Sequence, residues 1–129
     1  MNSKRTSNAL LLLLSLMLIA PACTEEPENV KELLPGRWEL QHAMRDGQPT
    51  RSLTDLYYEF DSEGKMRTNL PVAQGESAYS ISGMSIEQEQ EGSVIAYTVE
   101  SISDTSLVLT TELRNTRFQF NLHRVAPEQ

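Results

Sequence analysis

The chain holds a single cysteine, Cys23, in 129 residues, so no disulfide can form within it and the fold must rest on its core. Long apolar runs are absent too. The longest, Ala9 to Ala20, is broken by Ser15 and falls short of the ~20 residues a helix needs to cross a bilayer core. Cations are outnumbered, with 11 Lys and Arg against 18 Asp and Glu. That balance excludes the basic footprint a nucleic-acid partner requires and a polybasic grip on anionic lipid, and it keeps a protein soluble. No serine sits in a Gly-x-Ser-x-Gly elbow, and there is no phosphate loop, zinc motif or dinucleotide fingerprint. His42 and His123 stand alone, whereas a metal site needs three or four ligands at tight spacing. No metal and no cofactor are expected, and no constellation argues for catalysis.

What is present begins with a targeting segment. Asn2, Ser3, Lys4 and Arg5 make a short positive region, Ala9 to Ala20 an apolar one, and Ala20, Pro21 and Ala22 are small residues that suit cleavage. Residues 1–22 are therefore read as a signal peptide, with an uncleaved anchor as the alternative. Its removal takes Lys4 and Arg5 and no acid, moving the formal charge from −7 to −9. Ile19-Ala20-Pro21-Ala22-Cys23 resembles a bacterial lipobox, although that family prefers Leu where Ala20 stands. The resemblance implies that Cys23 is lipidated and becomes the mature N-terminus; the alternative is an ordinary signal peptide with a free thiol. One acyl chain binds a membrane only weakly, while two or more anchor it stably. Residues 23–32 read as an acidic tether. Cys23-Thr24-Glu25-Glu26-Pro27-Glu28 is similar to the stretch that follows the cysteine in surface-exported lipoproteins of Bacteroidota, or is a plain solvated linker. The expected location is the cell envelope, lipid-anchored to the outer membrane, with surface exposure implied by that stretch.

Asn29 to Leu34 can form one helical turn, with Asn29 as cap and Glu32 three residues on, before Pro35-Gly36 stops it. From there the chain changes to short alternating runs divided by Gly, Asp, Asn and Pro, the pattern of an antiparallel meander. Trp38 and Leu40, with His42 at the end, share one face of a first strand. Leu56, Tyr58 and Phe60 mark a second, Met66, Thr68 and Leu70 a third, Tyr79 and Ile81 a fourth, Met84 and Ile86 a fifth. Ile95, Tyr97 and Val99 mark a sixth, Leu107 and Leu109 a seventh, and Phe118, Phe120, Leu122 and Arg124 the last. Eight strands with one apolar face each, and no long helix to cover them, leave a sandwich or a closed barrel. Closure also removes exposed edges.

Gly36-Arg37-Trp38 resembles the Gly-x-Trp motif that opens a lipocalin barrel. Arg124 ends an apolar face, where its charge needs a partner. The lipocalin resemblance implies that it lies across Trp38 at the closed end. Closer still is the likeness to small lipocalin-like domains of Bacteroidota lipoproteins, carried by Leu34-Pro35-Gly36-Arg37-Trp38, by Tyr58-Glu59-Phe60-Asp61-Ser62-Glu63-Gly64, and by Tyr79-Ser80-Ile81 and Leu107-Val108-Leu109. The implied fold is an all-β, eight-stranded, antiparallel up-and-down barrel over residues 33–126. The family's C-terminal helix and disulfide are missing, and the chain is short for a lipocalin.

Gly36, Trp38 and Arg124 are thus expected to close the barrel. Tyr58, Phe60, Met66, Tyr79, Ile81, Tyr97, Phe118 and Phe120 are the candidates to line a ligand cavity; alternatively they fill a core, with the tyrosine hydroxyls near the rim. Glu87, Glu89 and Glu91 share a strand face, as a cation patch or as a solvated face that discourages edge pairing. The function expected is a monomeric, non-enzymatic, membrane-tethered module that binds a small apolar or amphipathic molecule. The alternatives are a filled barrel that docks a protein or glycan through segments 45–55 and 71–77, and an enzyme, which a buried perturbed ionisable pair in a cleft would favour.

Replacing Cys23 by Ser is expected to move the protein from the membrane to the soluble fraction on cell fractionation. Retention at the membrane would contradict lipid anchoring.

Overall fold

Period-two alternation commits residues from Gly36 onward to strands, and the short turns between them force neighbours in sequence to pair in space. The computed structural model describes residues 29–126; the signal segment and Cys23 lie outside them. Helix α1 (Asn29–Leu33) leads into β1 (Gly36–Arg45), β2 (Gln48–Thr50), β3 (Tyr57–Phe60), β4 (Lys65–Thr68), β5 (Gly75–Ser82), β6 (Ser85–Gln90), β7 (Ser93–Ile102), β8 (Ser106–Leu113) and β9 (Thr116–Val125). All neighbours are antiparallel, each strand follows the last around the sheet, and β9 returns to β1. The product is a closed barrel of eight strands, β1 and β3–β9, with β2 as an addition. Among the described residues no helix is long and apolar enough to cross a membrane.

β2 was not legible as a strand. Segment 45–55 reads as a loop, yet Gln48–Thr50 pairs with Ala43–Arg45. The reason is length. β1 has ten residues but β3 only four, which cover Gly36 to Glu39. The outer half of β1 would otherwise be a bare edge.

A second departure lies within β1 itself. Leu40 pairs with Leu122 but His42 with Asn121, so Gln41 is an extra residue and the strand bulges. A bulge reverses the in-out parity beyond it. His42, expected on the inner face with Trp38 and Leu40, is therefore exposed, and Ala43 is buried instead. Arg45 is carried onto the inner side, opposite Phe118. Met84, assigned to the inner face of the fifth strand, sits in the β5–β6 turn, where Gly83 takes φ +60.

The outer wall near the barrel base carries a row of alternating charge: Arg37 faces Glu59, Glu59 faces Arg67, and Arg67 faces Glu76. Ion pairs form at both ends of the row, Arg37 to Glu59 at 2.7 Å and Arg67 to Glu76 at 3.1 Å. Exposed pairs of this kind contribute little each, about 0–1 kcal/mol, but like charges in those places would disfavour the register.

One end is sealed. Trp38 is fully buried and donates its indole N–H to the Leu34 carbonyl at 2.9 Å. The Arg124 guanidinium lies 4.2 Å from the Trp38 ring. It also donates to the carbonyls of Pro35 and Asp104, at 2.8 and 2.7 Å, and to that of Leu33. These include orphan acceptors left where α1 ends. A Cβ on Gly36 would overlap the guanidinium, and its φ of +136 suits only glycine. The tether read over 23–32 overlaps α1, whose Val30 is buried in the core with Leu34.

Trp38→Ala is expected to destabilise the fold by about 3–5 kcal/mol, the range for buried large aromatics. Urea denaturation checks it, and a loss under about 1 kcal/mol is incompatible with an indole that seals the barrel.

Candidate functional site

The inward faces of β3, β7 and β9 carry most of the aromatic residues, and they meet along the barrel axis. Tyr79 packs on Phe60 with ring centres 5.2 Å apart, Phe60 on Tyr58 at 6.0 Å, Tyr58 on Tyr97 at 5.6 Å and on Phe120 at 6.3 Å, and Phe120 on Phe118 at 5.8 Å. The series runs from the sealed end to the opposite mouth. Tyr58, Phe60, Met66, Tyr97 and Phe120 are buried, while Tyr79, Ile81 and Phe118 are half-buried. These side chains occupy the lumen and touch one another.

A polar chain crosses this apolar filling. Tyr58 donates to the Tyr97 hydroxyl at 3.3 Å, and Tyr97 donates to Gln88 Oε1 at 2.7 Å. Gln88 Nε2 donates to Ser77 Oγ at 3.2 Å and reaches the Ala73 carbonyl at 3.5 Å. Gln88 is fully buried, so its amide depends on these partners. In the sequence it is masked by the alternating Glu87, Glu89 and Glu91 around it. The signal was its shared parity with Ile86, since a glutamine on a buried face must bond within the core. The Tyr79 hydroxyl turns the other way and donates to the Asp61 carbonyl at the base.

The mouth is built from the β2–β3 and β4–β5 loops and the β8–β9 turn. Asn69 ties the two loops together: its Oδ1 accepts from Tyr57 N–H at 2.9 Å and its Nδ2 donates to the Asp55 carbonyl at 2.8 Å. Leu56, Leu70 and Ala73 from these loops are buried. Above them a hollow of about 200 Å³ remains, bounded by Arg45, Leu53, Leu70, Pro71, Val72, Leu113, Arg114, Thr116 and Phe118. Its floor is apolar, its rim carries two arginines, and it contains no acid. A wider depression of about 350 Å³ lies beside the charge row at the base and is lined by Arg37, Glu59, Asp61, Lys65, Arg67 and Glu76 among others. There Arg37 and Arg67 already have carboxylate partners. A third hollow, of about 400 Å³, lies along the outer half of β1 and the β2 segment, with Gln41, His42, Pro49 and Arg51 in its walls.

The structure brings Gly36, Trp38 and Arg124 together at the sealed end, far from this mouth. Of the eight cavity candidates only Phe118 touches the mouth hollow. Of the other hollow-lining residues, Leu70 is expected on an apolar strand face and Arg45, Leu53, Pro71 and Val72 fall in the candidate docking segments 45–55 and 71–77, while Leu113, Arg114 and Thr116 are not marked as site residues; the bulge conceals the true facing of Arg45. His123 is half-buried on the outer face between Glu39 and Ser106, and its Nδ1 is buried without a partner. Glu87 and Glu89 point outward. Among the described residues no three His, Cys, Asp or Glu side chains cluster as a metal site. Cys23 lies outside them.

The chain matches no protein-family model and no curated protein. Among solved structures it is similar to an uncharacterized protein from Bacteroides eggerthii DSM 20697. The TM-score is 0.51 and the identity 13%, over 71% of this chain and 99% of that one. What the two share is the fold. In this chain that fold is an eight-stranded, closed antiparallel barrel, and a shared barrel carries no function with it.

Burial is the main cause that pushes the Tyr58 phenol well above its usual value near 10, with the Tyr97 neighbour adding to it. Burial likewise raises Tyr97, against a smaller lowering from its bond to Tyr58. Both phenols therefore stay protonated in the fold at pH values where they ionise in the unfolded chain. Their stabilising contribution is complete below about pH 10 and is lost as pH climbs toward the raised folded values. Alkaline titration followed by tyrosinate absorbance should show two of the four tyrosines ionising only as the protein unfolds. The Tyr58→Phe, Tyr97→Phe double variant should lose that late phase.

Proposed function

We propose that this protein is a non-catalytic binding module, held at the cell envelope by lipid on Cys23, that takes the apolar end of a small molecule at the barrel mouth. The observation that carries this is the contrast between a full lumen and an apolar hollow at its open end. Ligand sites are concave and mostly apolar, with a few placed polar groups; the mouth hollow has that make-up. The closed barrel with buried aromatic and polar residues supports a binding role, and the ring-to-ring filling of the lumen favours entry at the rim.

The position of the tether supports the same reading. Cys23 precedes Asn29 by six residues, a reach of at most about 20 Å. Helix α1 seals the Trp38 end, so a lipid on Cys23 holds that end toward the bilayer. The mouth lies at the other end of the ten-residue strands, about 25 Å away allowing for strand tilt. Its ligand then comes from the aqueous side rather than from the bilayer that anchors the protein.

A second reading, a solid barrel that docks a partner through its mouth loops, is favoured by the full lumen and by Val72, 41% exposed on the rim. Nuclear magnetic resonance separates the two. With the Cys23→Ser chain, decanol below its aggregation limit is expected to shift methyl signals of Leu53, Leu70, Val72 and Leu113 and to leave Trp38 unmoved. Leu70→Ser should weaken that binding about tenfold or more, in line with loss of a buried aliphatic contact. Shifts spread evenly over the surface, or none, would leave the docking reading.

A further inference from the structure

We propose that the mouth hollow selects an anionic amphiphile, a free single-chain molecule with a carboxylate head and an acyl tail; this rests on the mouth reading above. Both arginines of the rim are placed there by local features of the backbone. The bulge at Gln41 turns Arg45 from the outer wall to the inner side, opposite Phe118, where its guanidinium lies 6.0 Å from the Phe118 ring. Bulges re-aim side chains in this way beside functional sites. Arg114 occupies the β8–β9 turn at φ +50, followed by Asn115 at +67. Such turns favour Asn, Asp or Gly at both central positions, so an arginine there is held against the preference of its backbone.

Neither arginine has a carboxylate partner among the described residues, whereas Arg37 and Arg67 are paired. The chain has 18 acidic residues, yet none lines the hollow. Asp46 is nearest in sequence, and its carboxylate already accepts from the Arg117 backbone N–H at 2.9 Å. Glu112 pairs across the strand with Arg117 on the exposed side. The rim therefore presents two unmatched guanidinium groups over an apolar floor. A guanidinium fork matches a carboxylate in two parallel hydrogen bonds, and the floor suits a tail. At about 200 Å³ the hollow is below the ~300–1,000 Å³ that encloses a whole ligand. Behind it Leu70 and Phe120 close the lumen, so only the start of a tail is buried.

Calorimetric titration of the Cys23→Ser chain with alkyl carboxylates, alcohols and trimethylammonium salts, each below its aggregation limit, tests this. Decanoate should bind about tenfold tighter than decanol, a charge-assisted contact, with the decyl cation weakest and the preference shrinking as salt rises. Affinity should climb about fourfold per methylene and then level off once the hollow is full. The Arg45→Gln, Arg114→Gln double variant should bring decanoate down to decanol. Arg51→Gln, which removes a charge at the same end but outside the hollow, should leave the preference intact. Equal binding of decanoate and decanol at the mouth overturns the charge selection and leaves the mouth site standing. No binding of either at the mouth overturns both. Arginine-dependent binding to phosphatidylglycerol vesicles without binding of free decanoate also overturns it, in favour of a bilayer surface.

Discussion

The contact on which the barrel depends is that of one arginine with one indole. Arg124 closes the last strand and Trp38 opens the first, and the two strands are hydrogen-bonded directly, Trp38 opposite Arg124. The guanidinium does three things there. It covers the ring face, it fills carbonyls that α1 and the turn at Asp104 leave without partners, and it holds the ends of the sheet in register. A charge half-buried at a barrel end is costly unless it is well bonded, and here backbone oxygens take that part instead of a carboxylate. Gly36 follows from this, since only a residue without a side chain leaves room for the guanidinium.

Closure at one end sets the problem at the other. Eight strands leave an interior that side chains can fill, and in this chain the series of rings from Tyr79 to Phe118 fills it. The hydroxyls of Tyr58 and Tyr97 enter that interior only because Gln88 and Ser77 continue the hydrogen bonds to the loop at Ala73. This polar chain couples the core to the mouth. The β4–β5 loop is set partly by what the buried glutamine needs, and Leu70 within it forms the floor of the hollow.

Much of this was legible in the residues. The turn at Asp61 to Gly64, where Asp61 Oδ1 accepts two backbone N–H groups, and the alternation of β3, β7 and β9 follow from composition and spacing. The parity that sets Arg124 with Phe118, Phe120 and Leu122 could be counted off directly. The mouth could not. A bulge adds one residue without a compositional mark, and Gln41 looks like any polar strand residue, yet it exchanges the facing of His42 and Arg45. The strand at Gln48–Thr50 was also hidden, because Pro49 reads as a breaker and the segment pairs only to cover the unmatched half of β1.

The same bulge gives the candidate site its physical coherence. Without it the inner rim opposite Phe118 would carry Met44, and Arg45 would join Arg37 on the outer wall. The extra residue therefore costs a ladder position in β1 and sets a cation over the apolar mouth of an acidic protein. A structural demand for curvature would be met by a bulge in any strand, and β7 has one too, between Val99 and Ser101, which returns Ile102 to the apolar side. In both strands the shift restores an apolar residue to the interior, Ile102 in β7 and Ala43 in place of His42 in β1. In β1 it also delivers a charge to the rim, an effect without a counterpart in β7, and that second effect is what gives the mouth its chemistry.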